Sequence, residues 1–227
     1  MRRLVLLIAL LAAPALAKSE PPVATCPDPV APVLFISPIG EPFRPQGGND
    51  DPVRRWFDQA DRNHDRTLTV GEFMLDGDRF FATLDKDGNG ELLPDEVHGY
   101  EQDVAPEIRL YQRRPEPGAE GGKKAGADDG QRPRAERRRG GRTPAYADGV
   151  IGAGRYAFLN IPNPVAAADS DVNRAITARE FRAAAAARFA DLDPGQTKAL
   201  SFDQLPKTPA QQAANAACLA KLREKRR

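Results

Sequence analysis

Four acidic segments of twelve residues, regularly spaced, constrain this 227-residue chain more than any other feature of its sequence. We call them loop 1 (61–72), loop 2 (85–96), loop 3 (169–180) and loop 4 (193–204). They read DRNHDRTLTVGE, DKDGNGELLPDE, DSDVNRAITARE and DPGQTKALSFDQ. The spacing from loop 1 to loop 2 is the same as the spacing from loop 3 to loop 4, and a longer interval separates the two pairs. A repeated loop on a repeated spacing indicates duplication of one structural unit.

The polar residues in these loops fall where a bound calcium ion needs oxygen. Calcium takes about six to eight oxygen ligands, and a twelve-residue loop can supply them from positions 1, 3, 5, 7, 9 and 12. Position 7 offers a backbone carbonyl, and a glutamate at position 12 can bind through both oxygens. Position 6 is normally glycine, because the turn there favours a positive φ. Position 8 is apolar and pairs with a neighbouring loop.

Three loops carry candidate ligand sets of this kind. Loop 2 fits the pattern best and offers Asp85, Asp87, Asn89, the carbonyl of Glu91, and Glu96. Its position 9 is Leu93, so water would take that place. Loop 1 offers Asp61, Asn63, Asp65, Thr67, Thr69 and Glu72. Loop 3 offers Asp169, Asp171, Asn173, Ala175, Thr177 and Glu180.

Loops 1 and 3 depart from the pattern at position 6, where Arg66 and Arg174 replace glycine. A non-glycine residue at positive φ costs on the order of 1 kcal/mol. We expect this cost to weaken each site several-fold without abolishing it. The alternative is that these loops are acidic turns that bind no ion at physiological calcium concentrations.

Loop 4 is a degenerate copy. It has Gly195 at position 3, Lys198 at position 6 and Gln204 at position 12, so one carboxylate and a lysine would face a cation. We therefore expect a structural role, in which the loop pairs with a neighbour through its position 8.

The apolar side chains at position 8 predict how the loops pair. We expect Leu200 to bridge to Ile176 in the second block and Leu68 to pair with Leu92 in the same way in the first. Apolar residues at helical spacing flank the loops, for example Phe73, Phe80 and Phe81. The expectation is an all-α protein with two loop pairs, at 51–112 and 149–208.

The loops resemble the EF-hand superfamily, the helix–loop–helix calcium plan that calmodulin uses. The resemblance covers about 52–104 and 158–205. With the leader described below, the chain is similar to exported bacterial proteins with EF-hand domains, and this implies calcium as the cofactor, with about three ions. Exported bacterial EF-hand proteins include lanthanide binders with proline at loop position 2. Here only Pro194 in loop 4 matches that feature.

The remaining segments are a predicted signal peptide, an N-terminal arm, a linker and a C-terminal tail. Residues 1–17 resemble a secretory signal peptide, with Arg2 and Arg3 before an apolar run and Ala15-Leu16-Ala17 at the cleavage point. A membrane anchor is the alternative. We expect residues 18–50 to form a Pro-rich arm, which can dock onto the neighbouring lobe through residues 33–36. Residues 113–148 are predicted to be a disordered basic linker, and residues 209–227 a basic C-terminal helix.

Export to the periplasm or the medium favours a disulfide between Cys26 and Cys218, with two free thiols as the alternative. The composition also limits the chemistry. Two His and two Cys leave little material for a histidine-based active site, a structural zinc or an iron–sulfur cluster. Lys and Arg (33) balance Asp and Glu (32), so the chain is neither basic nor acidic overall.

The sequence therefore predicts an exported calcium-binding protein without catalysis, which buffers calcium or uses it to hold its fold. We expect no small-molecule substrate, no nucleic acid and no integral membrane segment. The alternative is a calcium-dependent interaction module whose basic linker or tail contacts an unknown protein or an anionic envelope partner.

Overall fold

The structure, a computed structural model, describes residue 26 and residues 32–109 and 149–225. The predicted signal peptide and the predicted linker at 113–148 lie outside the described residues, as does most of the arm before residue 32.

The described part of the chain is mostly α-helical with short two-residue and three-residue strands. The helices are α1 (Pro52–Ala60), α2 (Val70–Leu84), α3 (Pro94–Gly99), α4 (Ala178–Leu192) and α5 (Pro209–Lys225). The strands are β1 (Phe35–Ile36), β2 (Pro42–Phe43), β3 (Thr67–Thr69), β4 (Glu91–Leu92), β5 (Ile176–Thr177) and β6 (Ala199–Ser201). A π-helical turn (Tyr100–Val104) continues α3, and 3-10 turns occupy Pro106–Ile108, Gly152–Arg155, Ala166–Ala168 and Phe202–Gln204.

Helices α2 and α4 begin inside the loops. Thr69 caps α2 and Thr177 caps α4, and in both cases the side chain accepts a hydrogen bond from the backbone three residues on. The residues at that third position, Glu72 and Glu180, reach back to the capping residue and complete a capping box. The loop residues at positions 9 and 12 therefore start the helices as well as closing the loops.

The strands pair loops from different blocks, and this corrects the predicted pairing. Leu68 of β3 lies opposite Leu200 of β6, and Leu92 of β4 lies opposite Ile176 of β5, both in antiparallel register. The predicted bridges within each block are wrong, because one helix joins the two loops of a block. The fifteen residues of α2 lead out of loop 1 and into loop 2. At about 1.5 Å per residue they hold the two loops at ends roughly 22 Å apart.

Helices α2 and α4 cross antiparallel at their midpoints. Gly77 and Ala185 are the central residues of α2 and α4, and a methyl group on Gly77 would lie 3.4 Å from Ala185 Cβ. The ring pairs Phe73–Phe189 and Phe81–Phe181 have centroids 5.6 and 5.5 Å apart. The sequence offset between loop 1 and loop 3 also separates Phe73 from Phe181 and Phe81 from Phe189. Applying that offset therefore exchanges the two ring pairs. The duplication seen in the sequence is thus a pseudo-two-fold arrangement around one shared core.

The N-terminal arm is part of this core. Phe35, Ile36, Ile39 and Phe43 are all buried. The ring of Phe35 lies 5.4 Å from that of Trp56 on α1. The predicted docking of the arm through residues 33–36 is therefore confirmed, and the docked segment extends to residue 43.

A disulfide joins Cys26 in the arm to Cys218 on α5, across 192 residues of sequence, as predicted. Its presence favours an oxidising compartment. Within the described ranges, the helices are too short or too polar to cross a bilayer.

The crossed pairing predicts which residues are energetically coupled. Leu68→Ala and Leu200→Ala should each destabilise the fold by about 2–5 kcal/mol, because both side chains are buried. Their double mutant should deviate from additivity by about 0.5–3 kcal/mol, since the residues face each other. Urea unfolding of the four proteins measures this coupling.

The matched control is the pair Leu68→Ala and Leu92→Ala, which lie at opposite ends of α2. Their effects should add to within about 0.5 kcal/mol. Strong coupling between Leu68 and Leu92, with none between Leu68 and Leu200, would contradict the observed strand pairing.

Candidate metal centres

In all four loops the backbone folds around the carboxylate of the aspartate at position 1. In each loop this carboxylate accepts a hydrogen bond from the backbone N–H at position 6. The donor–acceptor pairs are Arg66 to Asp61 (2.8 Å), Gly90 to Asp85 (2.9 Å), Arg174 to Asp169 (2.9 Å) and Lys198 to Asp193 (2.7 Å). The loops therefore share one backbone plan, whatever residue stands at position 6.

Two residues in every loop take left-handed backbone conformations. Position 6 has a positive φ, as predicted, including 71° at Arg66 and 74° at Arg174. Position 4 also has a positive φ, which the sequence pattern did not indicate, and it includes the β-branched Val172 at 60°. Only loop 2 has glycine at both places, so it forms the turn with the least strain.

Hydrogen bonds from the loop backbone hold the glutamates at position 12 in place. Glu72, Glu96 and Glu180 are buried, with 8–9% of their surface exposed. Each accepts a hydrogen bond of 3.0 Å from the backbone N–H at position 9. The second carboxylate oxygen of each reaches across the loop to a backbone N–H near its start, for example Lys86 in loop 2 at 2.7 Å.

These hydrogen bonds favour the ionised carboxylates. The backbone N–H of Thr177, the Ser170 hydroxyl and the Thr177 hydroxyl lower the pKa of Glu180 to about 2. Burial opposes ionisation of Glu72, but hydrogen bonds from Thr69 and Asn63 outweigh it, and the pKa of Glu72 lies below its ordinary value. Glu72 and Glu180 therefore carry negative charge at neutral pH.

Loops 2 and 3 each gather three carboxylates at one point. In each set one carboxylate oxygen per residue lies within 4.8 Å of the others, close enough to share a metal ion. The sets are Asp85, Asp87 and Glu96 in loop 2, and Asp169, Asp171 and Glu180 in loop 3. The β4–β5 bridge joins these two loops, so the two clusters are neighbours at one end of the helix pair.

Loop 1 has a different signature. Its three carboxylates do not form such a cluster, and its position 3 is the neutral Asn63. However, Asp61 Oδ1 is buried without a hydrogen-bond partner, the one such side-chain atom in the part of the chain that the structure describes. A buried carboxylate oxygen without a partner is costly, and a cation would satisfy it. The residues of loop 1 therefore fit a bound cation.

Loop 4 satisfies its own polar groups. Asp193 accepts hydrogen bonds from the N–H groups of Thr197 and Lys198, and the Thr197 hydroxyl lies 3.0 Å from the same carboxylate. Burial opposes ionisation of Asp193, but these bonds outweigh it and lower the pKa of this carboxyl. At position 12, Gln204 accepts from the Ser201 N–H at 2.7 Å. The hydrogen bonds of loop 4 therefore close it without a cation.

The predicted ligands at positions 7 and 9 take part in hydrogen bonds within their own loops. At position 7, the N–H groups of Thr67, Glu91 and Ala175 donate to the side chain two residues earlier, at 2.7–2.8 Å. At position 9, the hydroxyls of Thr69 and Thr177 donate to the position 12 glutamates. An ion-binding role for these two threonines stays a prediction.

Sequence reasoning missed one contributor to loop 3. The hydroxyl of Ser170 at position 2 donates to Glu180 Oε1 at 2.8 Å. Lys86 occupies position 2 of loop 2 and Arg62 that of loop 1, so the residue type at this position does not repeat. The pattern of the loops therefore contained no signal for it.

The candidate ligands are all oxygen atoms, from carboxylates, amides, hydroxyls and carbonyls. Such a donor set suits hard cations such as calcium, magnesium and manganese, and disfavours soft metals that prefer sulfur or imidazole.

The chain matches no protein-family model, no curated protein and no solved structure. The resemblance stated from the loop motifs therefore stays a prediction. What the loops can do is inferred from their own geometry.

The unpaired oxygen of Asp61 predicts opposite effects with and without a cation. Asp61→Asn removes a buried negative charge, so in a chelator the variant should unfold at the same temperature as the parent or at a higher one. In millimolar calcium the variant should gain less stability than the parent. Thermal unfolding under both conditions measures this.

Asp58→Asn is the matched control, because Asp58 lies on α1 with its side chain 62% exposed. It should leave the response to calcium unchanged. The contrary result has two parts. Asp61→Asn would be strongly destabilised in the chelator, by as much as the loss of a buried charged hydrogen bond costs, and it would respond normally to calcium. Asp61 would then have a structural role only.

Proposed function

We propose that this protein is an exported calcium-binding protein of the EF-hand type, with three calcium sites, in which calcium stabilises the fold. The two carboxylate clusters in loops 2 and 3 are the observation that carries the proposal. The buried unpaired oxygen of Asp61 in loop 1 supports a third site.

The ligands follow the positions of the loop pattern. Loop 2 would hold an ion with Asp85, Asp87, Asn89, the carbonyl of Glu91, and Glu96, and loop 3 with the corresponding residues from Asp169 to Glu180. Loop 1 would use Asp61, Asn63, Asp65, Thr67 and Glu72. A bound ion would balance the carboxylate charge that each loop concentrates, and would link the start of the loop to the helix that follows it.

Calcium is favoured over magnesium by the form of the sites. Magnesium demands near-ideal octahedral geometry and keeps several of its waters. Each candidate loop instead offers oxygen atoms from five or six residues of the ligand pattern, including a glutamate able to bind with two oxygens. Calcium accepts such higher and less regular coordination.

The position of the sites suggests what calcium does. Loops 2 and 3 come from different blocks of sequence and pair at one end of the α2–α4 crossing, while loop 1 pairs with loop 4 at the other end. An ion in any loop would stabilise a junction between the two blocks. At a calcium concentration ten times its dissociation constant, one site adds about 1.4 kcal/mol to the free energy of unfolding.

Export through a signal peptide and contact of the basic linker with an anionic partner concern residues that the structure does not describe. Contact of the basic tail, at 209–227, with such a partner stays a prediction. The expected lack of catalysis, of a small-molecule substrate and of nucleic-acid binding also stays a prediction.

A calorimetric calcium titration of the mature chain, residues 18–227, tests the proposal. The parent should bind about three ions. Glu96→Gln and Glu180→Gln should each remove one ion from the stoichiometry, because each replaces the carboxylate at position 12 with an amide.

Glu91→Gln is the matched control. It makes the same chemical change in loop 2, but the Glu91 side chain is exposed and its backbone carbonyl is the proposed ligand. The stoichiometry should therefore stay at about three. If the parent bound no calcium at millimolar concentrations, or if Glu96→Gln bound as many ions as the parent, the proposed sites would be wrong.

A further inference from the structure

The N-terminal arm contacts every helix that carries a position 12 glutamate. We call residues 33–43 of the arm the strap. It consists of β1, a turn closed by the hydrogen bond from the Ser37 N–H to the Glu41 carbonyl (2.8 Å), and β2. The three helices begin in the three candidate loops, with Glu72 on α2, Glu96 on α3 and Glu180 on α4.

The contact with α2 is ionic and partly buried. Arg79 on α2 donates to Glu41 of the strap, with Nη1 3.1 Å from Oε1 and Nη2 on Oε2. The same guanidinium donates to the buried Asp76 at 2.8 Å, and Asp76 accepts from the Trp56 indole. Gln59 on α1 also donates to Glu41, at 3.1 Å. Glu41 therefore joins the strap to the two helices that flank loop 1.

The contact with the end of α3 is a buried hydrogen bond. The Tyr100 hydroxyl donates to the carbonyl of Gly40 at 2.8 Å, and the Tyr100 side chain is 1% exposed. Gly40 has φ 105°, and a Cβ there would lie 3.0 Å from that hydroxyl. Tyr100 follows Glu96 by one helical turn, and its own N–H donates to the Glu96 carbonyl. The position of Glu96 is thus connected to the strap through one turn of helix.

The contact with α4 uses a buried arginine. Arg188 is 5% exposed, and its guanidinium donates to the carbonyls of Pro38 (3.1 Å) and Pro164 (2.7 Å). Ile39 of the strap is buried beside the point where α2 and α4 cross, with Cγ2 3.8 Å from the place of a Cβ on Gly77. The strap therefore contacts α4 through Arg188 and lies beside the α2–α4 crossing through Ile39.

We propose that the strap is an intramolecular regulator that raises the calcium affinity of all three loops by fixing the helices that carry Glu72, Glu96 and Glu180. This inference rests on the proposed function. A docked strap and a bound ion favour the same helix arrangement, so each promotes the other. Because such coupling is reciprocal, calcium must hold the strap as strongly as the strap holds calcium.

Tyr100→Phe tests one direction of the coupling in the full mature chain. It removes one hydroxyl and leaves the ring packed near Phe80. The calcium dissociation constant of the affected sites should rise about fivefold. A change of this size corresponds to the net free energy of about one hydrogen bond. Glu41→Gln provides a second, independent change at the surface end of the strap and should act in the same direction.

Arg182→Ala is the matched control. Arg182 on α4 makes a two-contact ion pair with Asp78 on α2, at 2.9 and 2.6 Å, and so links the same helices without the strap. It should change the calcium dissociation constant by no more than about twofold, since the ion pair is partly exposed to solvent. Equal losses in Arg182→Ala and in the two strap variants would overturn the inference, because general loosening of the helices would then explain them.

Hydrogen exchange on the unmodified protein tests the other direction. In the docked strap, the N–H of Ile36 donates to the Tyr156 carbonyl, and the N–H groups of Ser37 and Gly40 donate to carbonyls of the strap itself. Their exchange should slow on addition of calcium. If the parent binds calcium while strap exchange stays constant and Tyr100→Phe binds normally, the strap inference alone fails. If the parent binds no calcium, the proposed function and the inference fail together.

Discussion

A single helix between successive loops is the constraint on which the rest of this structure depends. Because α2 leaves loop 1 and enters loop 2, the two loops lie at opposite ends of a fifteen-residue rod and cannot bridge to each other. The same holds for α4 between loops 3 and 4. Each loop finds its partner in the other block, α2 and α4 cross antiparallel, and both blocks contribute to one core.

This arrangement gives the degenerate loop a role. Loop 4 hydrogen-bonds its own carboxylate and needs no cation, yet its strand holds Leu200 against Leu68 of loop 1. Loops 1 and 4 both have two non-glycine residues at positive φ, but loop 1 also carries the buried, unpaired oxygen of Asp61, so it is the costlier member of the pair. A partner that stays folded without an ion can support a loop whose own conformation is costly.

The carboxylates that gather in loops 2 and 3 could be predicted from the sequence, because positions 1, 3 and 12 of both loops carry Asp, Asp and Glu. The positive φ at Arg66 and Arg174 and the docking of the arm followed from local patterns, and the bridge between Cys26 and Cys218 followed from the predicted export. The strand pairing was mispredicted, although the short segment between successive loops has room for only one helix. The contacts of Tyr100 and Arg188 with strap carbonyls could not be predicted, because backbone acceptors leave no trace in the residue pattern.

The crossed assembly of the two blocks is the central claim, and nuclear Overhauser effects across the short strands measure it directly. In the isotope-labelled, calcium-loaded mature chain, backbone protons of Leu68 should show contacts with those of Leu200, and Leu92 with Ile176, because these residues face each other in register. Contacts between Leu68 and Leu92, and between Ile176 and Leu200, would show instead that each block pairs within itself and would contradict the account.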